Sequence, residues 1–288
     1  MKHRFSLFIA LAVLALTSLA CGLTINIPVD RVTTGPTQTE EISIPATAAQ
    51  VTNLHLSFGA GDLQLKPGAE DMLVTGTAEY NVPEFEPKVE QDGAEVHLET
   101  GNLDINGIPR FDDEVKNAWQ LKLGDQPMNL EINAGAYKGD FDLSGLSLKS
   151  LHINDGAADV RLRFSEPNPV EMETLRYSTG ASNVRLNGLG NANFTSMIFR
   201  SGAGNYSLDF SGDLQRSAVV TIESGFSQVT LIVPRNTSAR VLFEGGFSGV
   251  DASGGWEKSG EAYVLGSGEP LLTINVDLGA GNLVLRTE

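Results

Sequence analysis

Leu175-Arg176-Tyr177-Ser178-Thr179-Gly180-Ala181-Ser182-Asn183-Val184-Arg185-Leu186 holds the pattern that decides the fold. Large apolar residues fall at alternate positions on both sides of Gly180-Ala181. The second half of this stretch is the phrase Gly-Ala-x-x-Φ-x-Φ, with Φ aliphatic or aromatic. It returns at Gly59, Gly156, Gly202 and Gly279, more loosely at Gly135 with two extra residues, and at Gly225 and Gly246 with Phe in place of Ala. From Gly135 onward the steps are 21, 24, 22, 23, 21 and 33 residues. Self-similarity at such a period marks a repeat array, in which each unit buries its apolar face against its neighbours.

Aligned on the first Gly, the copies agree at the fifth position before it (Leu54, Leu130, Leu151, Leu175, Met197, Val220, Val241, Ile274). They agree again at the third position before it, from Leu56 and Ile132 to Phe243 and Val276, while the residue between varies freely. A period of two with one apolar and one variable face is a half-buried β-strand. The alternation resumes after the Gly. Each unit therefore reads as strand, small-residue corner, strand, with Gly supplying positive φ and Ala fitting inside a corner where turns stack closely. The expected fold is all-β, a right-handed β-solenoid of units of about 22 residues. A β-sandwich is the rival, since evenly spaced short strands are also its signature.

Residues 72–125 interrupt the array. Gln91-Asp92-Gly93 reads as a hairpin turn, and the block as an insertion or cap covering the first rung. The domain reading is 1–20 a lipoprotein signal peptide, 21–50 a polar tether, 51–127 the first rung with its hairpin or cap, and 128–288 the repeats. The tether rests on Thr33, Thr34, Gly35, Pro36, Thr37, Thr39, Glu40 and Glu41.

Lys2 and Arg4 precede an apolar run from Phe5 to Leu16, and Ser18-Leu19-Ala20 leads into Cys21. That is the layout of a secretory signal. It resembles a bacterial lipoprotein signal, although the preferred Leu of the lipobox is displaced by one position. The resemblance implies a lipidated Cys21, an extracytoplasmic location and attachment to the membrane through acyl chains. Cys21 is the sole cysteine, so no disulfide within the chain and no cysteine-based metal site is available. The formal charge of −16 disfavours nucleic acid as a partner, because such a surface repels phosphates.

Four strings resemble the bacterial toast-rack domain proteins and the related adhesins built from Gly-Ala-Gly repeats. They are Leu56-Ser57-Phe58-Gly59-Ala60-Gly61-Asp62-Leu63, Glu79-Tyr80-Asn81-Val82-Pro83, Leu123-Gly124-Asp125 and Gly188-Leu189-Gly190-Asn191-Ala192-Asn193-Phe194. The likeness extends to the C-terminal domain of envelope-stress regulators that respond to cell-wall antibiotics. It implies an extracytoplasmic β-solenoid and brings no catalytic residues with it.

Candidate chemistry is sparse. Asp62, Asp159, Asn183, Asn205 and Asn282 share one repeat position. A calcium ladder is one reading; corner residues that tolerate positive φ and bond the local backbone are the favoured one. Arg161 and Arg185 share another position and form a candidate stripe for a carboxylated glycan, with pairing to neighbouring acids as its rival. The sequence has no Gly-x-Ser-x-Gly, His-Glu-x-x-His or Walker phosphate loop. Beyond the signal only His55, His97 and His152 remain for acid–base work. Trp119 and Trp256 are glycan platforms or packing residues. The expectation is a non-enzymatic, lipid-anchored envelope protein that needs no cofactor or metal and presents an adhesion surface to an envelope protein or glycan. A stress-sensing module is the alternative, and a polysaccharide-processing enzyme a distant third.

Overall fold

The computed structural model describes residues 31–101, 110–111 and 114–288. The expected signal segment and Cys21 lie outside them. The chain divides into two compact units, Met1–Thr33 with Asp104–Asp113, and Thr34–Leu103 with Glu114–Glu288. In the first, β1 (Arg31–Val32) runs parallel to β7 (Arg110–Phe111).

The second unit is nearly all strand. Its early elements are β2 (Gln38–Pro45), β3 (Thr52–Pro67), β4 (Met72–Tyr80), β5 (Pro87–Asp92), β6 (Glu95–Thr100) and β8 (Asn117–Leu123). The repeats follow as β9 (Met128–Asp142), β10 (Leu148–Arg163), β11 (Met172–Asn187), β12 (Phe194–Asp209), β13 (Ala218–Val233) and β14 (Ser238–Ala252). β15 (Glu257–Ser259), β16 (Ala262–Leu265) and β17 (Leu271–Thr287) close the unit. Among the described residues these form one 15-stranded sheet.

Every copy of the phrase sits at the bend of a single long strand rather than between two short ones. In β3, Leu54, Leu56 and Phe58 point inward before the corner, and Leu63 and Leu65 after it. Inward alternation thus slips by one residue across Gly59-Ala60, which keeps both halves facing the same core as the strand turns. The parallel stack runs β3-β9-β10-β11-β12-β13-β17-β14, and aliphatic residues of equal rank lie over one another, as in Leu151 on Leu175 and Leu175 on Met197. This is the repeat stack that the sequence implies.

The corner's chemistry differs from the expectation. None of the phrase-opening glycines has a positive φ; at all of them but Gly59, which faces open space, a side chain would crowd the backbone of the adjacent rung. A Cβ on Gly202, Gly225 or Gly279 would lie 2.7 Å from the carbonyl oxygen of Gly180, Gly202 or Gly225 respectively. Positive φ falls two residues later, at Gly61 (+130°), Gly204 (+152°) and Gly281 (+129°). The Ala of the phrase stands outside the bend, exposed in Ala60, Ala136, Ala157, Ala181 and Ala203.

Two further readings need correction. Residues 38–45 are a folded strand and not part of a tether: β2 pairs antiparallel with β4, and Ile42 and Ile44 enter the core. The last repeat is also out of order, because β17 lies between β13 and β14 with parallel pairing to both. The block 72–125 acts as a rung in two pieces. β6 pairs with the first half of β3 and β8 with the second. The turn at Gly93, with φ +60°, joins β5 and β6 as the hairpin expected there.

Two of the strings that resemble toast-rack proteins, residues 79–83 and 188–194, sit where the backbone needs side-chain partners. Asn191 Nδ2 donates to Phe164 O at 2.9 Å, and Asn193 Nδ2 to Val170 O at 2.9 Å. With Asn168, whose amide donates to Leu148 O at 2.8 Å, they satisfy the buried return segments between rungs. Asn81 does the same beside β8, donating to Glu114 O at 2.8 Å and accepting from Lys116 N at 2.7 Å.

Candidate functional site

Arg161 and Arg185 are direct register partners on β10 and β11, as their shared repeat position implies. The surroundings are mixed in sign. Arg185 Nη1 lies 3.5 Å from Asp159 Oδ1, and Arg163 spans Asp140 at 3.0 Å and Asp142 at 3.1 Å. The corner row is mixed as well: Asp159, Asn183, Asn205, Gln228, Asn282 and Gly249 follow in register, while Asp62 faces Lys138. Asn183 Nδ2 donates to Asp159 Oδ1 at 3.3 Å. None of the Asp and Asn residues in this row has positive φ, so tolerance of a strained turn is not what places them there.

A more distinctive constellation lies on β13, β17 and β14. Two residues before their corner glycines, Glu223, Asp277 and Glu244 stand side by side in register. Like charges directly opposite one another disfavour pairing, and among the described residues Glu223 is the one of the three in a salt bridge, with Arg200 Nε at 2.9 Å. The row forms the floor of an 820 Å³ groove whose wall carries Glu261, Lys258 and Tyr263. Lys258 Nζ sits 5.7 Å from the centre of the Tyr263 ring. A second hollow, of 560 Å³, runs from Glu223 and Asp277 to the glycines at the corner. Beyond the corner, on the same strands, are Phe226, Ala280 and Phe247, again in register. Phe226 is 70% and Phe247 91% exposed.

The described histidines share one row. His97 of β6, His55 of β3, Glu131 of β9, His152 of β10 and Arg176 of β11 are successive register partners. The His55 and His97 rings stack at 4.6 Å with an 11° interplanar angle. His55 Nε2 is 3.2 Å from Glu95 Oε2, and its Nδ1 is 3.2 Å from Glu131 Oε2. The Asn53 amide, then His55, holds the Glu95 carboxyl below the usual carboxylate range. Burial, then the neighbouring Arg176, lowers His152. Trp119 and Trp256 are core residues, Trp119 edge-on to Phe58 at 5.3 Å. Their indoles are not open platforms.

Residues 33–174 match the family model described as the N-terminal domain of toast_rack, DUF2154. That stretch is similar to the toast-rack N-terminal domain. The chain's bent strands and stacked corners are similar in fold to a candidate cell adhesion protein from Clostridium sporogenes. That likeness is at 19% identity and TM-score 0.50, over 88% of this chain and 100% of the other. A candidate adhesin from Bacteroides fragilis is 8% identical with TM-score 0.46, over 89% of this chain and 100% of that one. No curated protein matches the chain. Among the described residues, no helix is long and apolar enough to cross a membrane.

Sequence reasoning paired Arg161 with Arg185 and missed both the acidic row and the histidine cluster. Glu223 and Glu244 share a repeat position that was legible. Asp277 joins them only because β17 enters between their strands. His55 and His97 are 42 residues apart and meet through the pairing of β3 with β6, which periodicity does not specify.

Proposed function

We propose that this protein is a non-catalytic, lipid-anchored component of the cell envelope whose sheet serves as an interaction surface. The observation that carries the proposal is the pairing of exposed Phe226 and Phe247 with the acidic groove beside them. Two nearly free aromatic rings on rigid strands offer apolar area at little entropic cost, a property shared by residues that dominate binding energy at interfaces. Glu223, Asp277 and Glu244 add a field that attracts cationic partners and speeds encounter. The fitting occupant is an envelope protein with a basic, partly apolar face. Anchoring through Cys21 is supported by the signal-like segment before it, and the Arg161–Arg185 pair is a lesser site for carboxylated glycans.

Crosslinking and co-purification from intact cells tests this reading. The parent chain is expected to retain a partner that a Phe226→Ser, Phe247→Ser variant loses by about tenfold or more, as for paired interface hot spots. The same partner is expected to weaken with Glu223→Gln and with rising salt. Equal recovery with the double variant, or retention of a glycan alone, sinks the proposal. Cys21→Ser is expected to abolish fatty-acid labelling, and label that persists removes the anchor. Unchanged acidic-glycan retention after Arg161→Ala and Arg185→Ala ends the lesser site.

A further inference from the structure

We infer that His55, Glu95 and His97 form a binding site for a divalent transition metal of the zinc type, which clips the β5–β6 hairpin to the first full rung. Two imidazoles and a carboxylate are a donor set that suits zinc. Glu95 and His97 are two residues apart on β6, so both side chains project from the same face. His55 reaches them from the adjacent strand as the direct partner of His97. One donor atom from each residue can be chosen so that all three lie within 4.8 Å of one another. Tetrahedral ligands about 2.1 Å from zinc stand about 3.4 Å apart. Binding therefore has to close that gap, with His97 turning out of its stack on His55 so that the in-plane lone pairs of both rings converge.

The surrounding residues supply what a metal site needs beyond its ligands. His55 turns Nε2 toward Glu95 and Nδ1 toward Glu131 Oε2 at 3.2 Å. A carboxylate on the far nitrogen of a ligating histidine fixes its tautomer and raises its basicity. Glu131 is itself held by Asn133 Nδ2, which donates to its Oε1 at 2.8 Å. Asn53 donates to the other oxygen of Glu95, and its own carbonyl accepts from Asn129 Nδ2 at 2.7 Å. Donors and supports thus stand on three neighbouring strands of one sheet, β6, β3 and β9, which fix their spacing. A surface ion pair between His55 and a single glutamate would not need the second carboxylate.

Titration calorimetry with zinc chloride tests the site on the full chain carrying Cys21→Ser, so that no thiolate competes. The expected result is one zinc per chain with a rise in melting temperature. Affinity is expected to fall at least tenfold in His97→Ala or Glu95→Gln, and by about 10–100-fold in Glu131→Gln, which leaves the ligands in place. His152→Ala, beyond Glu131, is expected to bind zinc as the parent does. Far-UV dichroism and melting in chelator establish that the variants are folded. The inference is overturned by the absence of zinc heat, by equal affinity in the two ligand variants, by loss of binding in His152→Ala, or by calcium binding as tightly as zinc.

Discussion

Gly202 and Ala203 look interchangeable in composition, yet the structure gives them opposite tolerances. Gly202 faces the carbonyl of Gly180 across one strand spacing, and a Cβ there would sit 2.7 Å from it. The atoms it would meet are all backbone of Gly180, so no flexible side chain can give way. Overpacking of this kind costs about 1–3 kcal/mol, so Gly202→Ala is expected to lower the urea midpoint by a corresponding amount with an unchanged slope. Ala203 stands outside the bend beside Phe226, and Ala203→Phe is expected to stay within about 0.5 kcal/mol of the parent. Comparable losses in both variants would contradict the steric account of the glycine ladder. At the corner of β10, Asp155 accepts hydrogen bonds from Tyr177 at 2.7 Å and Tyr137 at 3.3 Å, and from Thr179. Burial, reinforced by the nearby Asp155 carboxylate, raises both phenols above their ordinary 10.0. Unfolded tyrosines lose their protons near that pH while these keep theirs, so above it the unfolded chain binds fewer protons and stability falls. The contribution is whole below the ordinary phenol pKa and is lost on going alkaline. A urea midpoint that declines above pH 10.0, and declines less in Tyr137→Phe, Tyr177→Phe, is the expected outcome. An identical decline in the double variant would place its origin elsewhere.

The position of β17 sets the repeats apart from a simple linear array. It buries Leu272, Ile274, Val276, Leu278, Leu283 and Leu285 between β13 and β14. Burial of each such side chain contributes about 1.5–3 kcal/mol, so the six together rival the whole stability of a typical domain, about 5–15 kcal/mol. A terminal rung of an ordinary solenoid can be trimmed with graded loss. Here, removal of residues 271–288 is expected to abolish cooperative melting, as followed by far-UV dichroism. A trimmed chain that still melts cooperatively would mean that β14 can pair with β13 directly. The alternation in Leu272-Thr273-Ile274-Asn275-Val276 made a strand legible in the sequence. Its neighbours were not, because periodicity names the buried face and every copy offers the same face. The 33-residue step before Gly279 was the one local sign of a detour. β2 was legible in principle from Glu41-Ile42-Ser43-Ile44, whose alternation was outweighed by the Thr, Pro and Glu around it.

Across the unit comprising Thr34–Leu103 and Glu114–Glu288, the candidate binding residues separate along the stacking direction. His55, Glu95 and His97 lie at the β6–β3 end, while Phe226, Phe247 and the acidic row lie on β13, β17 and β14. The sequence showed the stack itself because burial repeats wherever the phrase does. It did not show the sites, since outward positions vary freely from rung to rung and gain meaning only once the strand order is known. The arginine pair was the exception, because adjacent copies happen to be adjacent strands. The interposed β17 also bears on how such a chain reaches its native state. β14 is synthesised before the strand that must lie on its inner side, so stacking cannot proceed rung by rung in the order of translation. Until residues 271–287 arrive, β13 and β14 each present an open edge of matching pattern, and a direct but wrong zipper between them is the trap this strand order sets.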